Sequence, residues 1–160
     1  MRIALFTFIF LFSSALGLHA ESGNAEFAAA LVQPYLQMQS GLAEDDLGKA
    51  QKGAKAFVQL ANGAPVGSAS IAQMKASATT IAESTDIKAA RAAFLPLSEG
   101  MIAMVKSKAL PDGESLYLVH CPMAFGGKGG SWIQADETVA NPYYGSMMLR
   151  CGGVKEELTQ

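Results

Sequence analysis

Apolar residues recur at steps of three and four along the first two thirds of the chain, and that period belongs to helices. From Asn24 to Gly41 one face carries Phe27, Leu31, Pro34, Tyr35, Met38 and Leu42. Pro34 removes one ladder hydrogen bond, so the pattern predicts a kink or a late start there. Gly41 falls just where such a helix would end. A second helix is expected from about Glu44 to Ala61, with Leu47, Ala50, Ala54, Phe57, Val58 and Ala61 inward. Lys49, Lys52 and Lys55 lie largely off that face and read as a solvated surface rather than a ligand patch. Asn62-Gly63-Ala64-Pro65 then opens a loop.

A third helix is expected from about Ser70 to Glu83, with Ile71, Met74, Ala78 and Ile81 inward. Ser84-Thr85-Asp86 supplies N-cap chemistry for a fourth, from Ile87 to about Leu110. Its face is Ile87, Ala90, Phe94, Leu97, Met101, Ile102 and Val105. Pro96 and Gly100 should bend it, and Pro111-Asp112-Gly113 should stop it. Four amphipathic segments joined by short polar links predict an all-α fold, an antiparallel four-helix bundle. Met38, Met74, Met101 and Met104 sit at core spacing, which favours packing over a methionine-lined metal path.

After Gly113 the period changes. Ser115 to His120 is a short run rich in Leu, Val and Tyr, which suggests a strand or extended segment. Residues 122–131 read as a loop, with Gly126, Gly127, Gly129 and Gly130 around Lys128. This is no phosphate loop, because the glycine spacing is wrong and no Ser or Thr directly follows the lysine. The bundle is therefore expected to end in an extended or loop region, about 114–154, that carries both cysteines.

Length and composition narrow the class. With 160 residues the chain fits one domain and can bury a core without a disulfide. Arg2, the apolar run from Ile3 to Phe12 and the small residues after it read as a cleavable export signal over residues 1–20. That leaves 21–160 as one exported helical domain with no later membrane segment, most simply in a bacterial periplasm. The formal net charge of −2 and scattered basic residues give no footprint for nucleic acid. An exported protein meets oxidising conditions, in which two cysteines can pair.

The chemistry concentrates between Leu116 and Val154, which holds both cysteines, the single Trp132, and His120. Thiolates and thioethers are soft ligands that favour Cu(I), whereas structural zinc sites use Cys and His. If residues 119–123 are extended, Cys121 and Met123 point one way and His120 the other, with Pro122 stiffening the backbone. Met147 and Cys151 are four apart and share a face in a helix or a strand; Met148 joins them only in a helix. Asn141-Pro142 has the form of an N-cap and first-turn proline, which favours a helical turn. On residue types alone two cysteines in an exported protein most often form a disulfide, and closing about 30 residues would contribute roughly 3–4 kcal/mol. His120 alone reads more readily as a satisfied or exposed histidine, and Trp132, Tyr143 and Tyr144 as packing. His120 and Cys121 are sequence neighbours that point apart, so they form no catalytic dyad. With no Cys-x-x-Cys, metal-protease or serine-nucleophile motif, no enzyme is expected.

One combination of residues goes further. Asp86-Ile87 with Arg91, Phe94, Leu97 and Ser98 leads to Cys121-Pro122-Met123-Ala124 and Trp132. Asn141-Pro142-Tyr143-Tyr144-Gly145, Met148-Leu149 and Cys151-Gly152 follow in order. The set resembles a bacterial family of exported four-helix domains, found alone or fused to periplasmic adaptors of copper and heavy-metal efflux systems. The resemblance implies heavy-metal binding, with copper as the expected metal, and makes Met148 the matching methionine where spacing favours Met147. His120 and Pro96 depart from the family pattern. The leading expectation is a periplasmic Cu(I)-binding protein using Cys121 and Cys151, with Met123, Met148 or Met147, and with His120 as a further candidate. It would buffer the ion or hand it to an efflux adaptor or another copper protein. A disulfide-stapled helical module that binds a protein partner is the alternative, and a thiol–disulfide enzyme stands third.

Overall fold

A computed structural model describes residues 16–64, 69–107 and 115–158. Most of the expected export signal, the Pro65 turn and the Pro111-Asp112-Gly113 stop lie outside the described residues. Four long helices form, α1 (Leu16–Ala43), α2 (Leu47–Ala61), α3 (Ala69–Glu83) and α4 (Ile87–Ser107). Each packs on the next in sequence, and α1 also meets α4. Among the described residues no helix is long and apolar enough to cross a membrane.

The caps are local chemistry. The Asp46 carboxylate accepts the Lys49 amide at 2.8 Å and starts α2; Asp86 accepts the Ala89 amide at 3.1 Å and starts α4. Each such cap stabilises its helix by about 1 kcal/mol. Leu31, Tyr35, Met38, Phe57, Met74, Ile81, Phe94, Leu97 and Met101 are buried between the helices, as the apolar stripes require. Met104 is half-buried against them. Lys52 and Lys55 are exposed, and Lys49 pairs with Glu44 at 2.9 Å.

Two punctuation readings need correction. α1 is one continuous helix across Pro34, so of the kink or late start expected there the late start is overturned. Gly41 lies inside α1 and does not end it. Its missing side chain serves a neighbour: a Cβ there would stand 2.6 Å from the Ala50 amide nitrogen of α2. Gly53 repeats the device from the other side, where a Cβ would stand 2.7 Å from the Pro34 carbonyl. Backbone touches backbone at both places, so α1 and α2 pack unusually close.

The all-α expectation is also corrected. The C-terminal part forms a three-stranded antiparallel sheet, β1 (Leu116–Cys121), β2 (Gly130–Gln134) and β3 (Gly153–Leu158), in the order β2-β1-β3. The strand expected over Ser115–His120 is present as β1. β2 falls partly in the expected loop, after a short helical turn at Ala124–Gly127. A bulge between Leu118 and Val119 shifts the register of β1 against β3. Leu116, Val119 and Cys121 are therefore all buried, although simple alternation from Leu116 would turn the last two outward. The sheet is pinned to the helices by Tyr35. Its buried hydroxyl accepts the Ile133 amide of β2 at 2.9 Å and shares a 2.6 Å hydrogen bond with Ser98 of α4.

Candidate functional site

β1 ends at Cys121, and a turn of 3-10 helix at Gly145–Met148 delivers the chain to Cys151. The two Sγ atoms stand 3.0 Å apart, across 30 residues of sequence. Both are free thiols; Cys121 is buried and Cys151 is half-buried, so the pair is reached from the Cys151 side. The hydrogen bond to Cys121 raises the pKa of Cys151, and burial adds to it. Deprotonating Cys151 therefore needs either a higher pH or a cation to replace the proton.

Asn141 builds the second arm. It is fully buried. Its Oδ1 accepts the amides of Tyr143 at 2.8 Å and Tyr144 at 3.2 Å, closing the turn that leads into the 3-10 helix, whose own N-cap position falls later, at Tyr144. Its Nδ2 donates to the Cys151 carbonyl at 2.7 Å, and its own amide donates to the Leu149 carbonyl at 2.8 Å. One amide side chain thus ties the start of the turn to the cysteine at its end. Gly145 must follow, with φ at 61°, because any side chain there would collide with Arg91 and Asp45.

Those two residues brace the turn from the helices. Arg91 of α4 donates to the Pro142 carbonyl at 3.1 Å and the Leu42 carbonyl at 2.7 Å, and pairs with Asp45. Asp45 in turn accepts the Ser146 amide at 3.0 Å. Hydrogen bonds from Ser146 first, and then from Arg91, lower the Asp45 pKa from 3.8 to about 2.

The aromatic residues act as walls. Trp132 is fully buried, and Tyr143 is nearly so. The Tyr143 ring meets Trp132 edge-on at 5.7 Å, and its hydroxyl donates to the Ser131 carbonyl at 2.5 Å. Burial raises the Tyr143 pKa, so it stays a neutral donor.

The other candidate ligands are placed less closely. Adjacent strand residues face opposite sides, so His120 lies on the face of β1 away from Cys121. Its Nδ1 shares a 2.9 Å hydrogen bond with Ser131 Oγ. β1 ends before Met123, so strand alternation does not carry it to Cys121's side; it is 52% exposed. Its carbonyl accepts the Tyr144 hydroxyl at 2.6 Å, which joins the two arms. Met147 is 81% exposed. Met148 is half-buried, and its carbonyl accepts the Cys151 amide at 2.9 Å. Among the described residues no group of three or more His, Cys, Asp or Glu is placed to hold a metal. Sequence reasoning missed the Asp45–Arg91 brace, since an acidic residue between two helices carries no signal of a partner 46 positions away.

Residues 31–113 match a family model described as "Protein of unknown function (DUF3347)", which spans just over half of the chain. The chain belongs to that family. No curated protein and no solved structure matches it.

Proposed function

We propose that this member of the DUF3347 family is an exported soft-metal-binding protein that holds Cu(I) between the thiolates of Cys121 and Cys151. In this reading it works in the periplasm, where it buffers the ion or passes it to an efflux adaptor or another copper protein. No catalytic turnover is involved. The observation that carries the reading is the 3.0 Å separation of two free thiols from opposite ends of the C-terminal segment.

The chemistry of the donor set supports it. Zinc asks for four N, O or S ligands in a structural site, and thioethers serve it poorly. Cu(I) accepts a pair of thiolates, with Met148, Met123 or Met147 as softer additions. His120 is the weakest of the candidates, because it faces away and already has Ser131 as a partner. Binding displaces the thiol protons, so affinity rises with pH.

The same distance favours a second reading, a disulfide-stapled module that binds a protein partner without metal. A disulfide needs the sulfurs at about 2.05 Å, and a bridging ion needs them further apart than two touching thiols. The observed separation lies between those states, so oxidation and metal binding exclude one another. The test is a free-thiol count on protein taken from the periplasm, followed by titration of the reduced chain with Cu(I) against a chelating competitor. One equivalent bound tightly, and lost in both Cys121→Ser and Cys151→Ser, is the expected result. Thiols that resist mild reductant, with no copper taken up once reduced, would leave the disulfide module standing instead.

A further inference from the structure

A cavity of about 400 Å³ opens where α4 meets the 3-10 turn. That volume is in the range of small-molecule sites. Its apolar wall is Phe125, Tyr143, Tyr144 and Met147, and its polar lining is Lys88 and Arg91. No Asp or Glu lines it.

Both cations have capacity to spare. Lys88 is exposed in the first turn of α4 and makes no ion pair with a described residue. Arg91 spends Nε and Nη2 on Pro142, Leu42 and Asp45. Its Nη1 has no protein acceptor among the described residues. No buried side-chain nitrogen there lacks a partner, so Nη1 keeps some exposure to solvent.

The apolar wall includes a residue in an unusual backbone conformation. Phe125 sits in the left-handed region, at φ 53° and ψ 44°. A non-glycine residue there costs about 1–2 kcal/mol. That backbone sets its ring edge-on to Tyr143 at 5.0 Å, along the cavity wall. Met147, at the same cavity, leaves 81% of its surface in water. Exposed apolar surface beside an unusual backbone conformation marks a place that gains by having that surface covered.

We propose that this cavity binds a small organic anion, with a flat apolar body against Phe125, Tyr144 and Met147 and an acidic head on Lys88 and Arg91 Nη1. Charge complementarity selects the class: Lys88 without an ion pair, Arg91 with its Nη1 unspent although Asp45 partly offsets its charge, and aromatic faces. The site does not include the thiol pair and shares only Met147 with the candidate metal ligands, so it does not depend on the metal reading.

The probe is anilinonaphthalene sulfonate, an aromatic anion, titrated by fluorescence into the reduced, folded chain. Saturable one-site binding is expected. Lys88→Glu should weaken it at least about tenfold, and Lys88→Gln by a smaller factor. Ala92→Trp, at an exposed lining position of α4, should abolish it by filling the cavity. Naphthoate should compete, and the neutral naphthalenemethanol should not. Circular dichroism and the urea midpoint should stay unchanged in all three variants, which separates loss of the site from loss of the fold. Binding that survives both Lys88→Glu and Ala92→Trp would overturn the proposal. So would self-association of the chain that Ala92→Trp abolishes, since a second copy would then be the occupant.

Discussion

Asn141→Ala tests whether the thiol pair is positioned or merely adjacent. The side chain makes three hydrogen bonds, to the Tyr143 and Tyr144 amides and to the Cys151 carbonyl. Truncation leaves the Tyr143 amide without an acceptor in a buried position. An orphaned buried donor costs about 1–3 kcal/mol. The Tyr144 amide and the Cys151 carbonyl belong to half-buried residues and reach water more easily, so they add less. The expected loss is about 2–4 kcal/mol, read as a lower urea midpoint at an unchanged slope for the reduced protein. A second readout isolates positioning. With the Cys151 end of the turn released, the two sulfurs spend less time in contact. Their thiol–disulfide equilibrium in a glutathione buffer should then shift at least about tenfold towards the dithiol, or about 1.4 kcal/mol. A stability loss below about 1 kcal/mol would show that the amides find other partners. An unchanged thiol equilibrium would show that the backbone alone sets the 3.0 Å contact.

Two further perturbations probe the frame. Gly41→Ala should destabilise by about 1–3 kcal/mol, although the same change inside a helix normally helps, because the new Cβ meets the Ala50 backbone; a melting temperature that rises would remove the close approach of α1 and α2 from the account. Asp45→Asn removes a carboxylate whose pKa is lowered from 3.8 to about 2. A depressed folded pKa gives stability that is fully present above the unfolded value and lost as pH falls through the folded one. The native chain should therefore lead Asp45→Asn above about pH 5 and lose that lead near pH 2. Asp45 is 39% exposed, so the lead should stay below about 1 kcal/mol. A difference that widened on acidification would contradict the reading.

Much of the helical part was legible because each stripe of apolar residues meets one partner surface. Leu31, Tyr35, Met38 and Leu42 recur at the helical period and are all buried. Gly41 was misread because a glycine that ends a helix and one that admits a neighbouring backbone look alike in one chain. The sheet was missed for a different reason. β3 carries Val154, Lys155, Glu156 and Glu157 in exposed positions, so its sequence looks like a solvated tail, and only backbone pairing to β1 makes it a strand. β2 is five residues long and begins at Gly130, too short for a period to show. At the site, the meeting of Cys121 and Cys151 was the strongest inference from sequence. The order of the methionines was not legible, because it depends on where β1 stops and on a turn of 3-10 rather than α-helix.

The family match stops at residue 113, before either cysteine, yet the matched helices are not a self-sufficient frame to which a sulfur-bearing tail is attached. Their buried polar groups look to the tail for partners. Tyr35 in α1 accepts the Ile133 amide, Gln39 donates to the Ala140 carbonyl at 2.7 Å, and Arg91 in α4 donates to Pro142. Gln39 is only 4% exposed, so without that carbonyl its amide would be left nearly dry and unpaired. The dependence runs the other way too: Gly145 has no room for a side chain because Arg91 and Asp45 hold the turn from below. Helix face and cysteine-bearing turn therefore specify each other. A substitution in the helices that loosens Tyr35, Gln39 or Arg91 should disturb the thiol pair before it unfolds the helices, and that places the determinants of the site as firmly in residues 31–113 as in the cysteines.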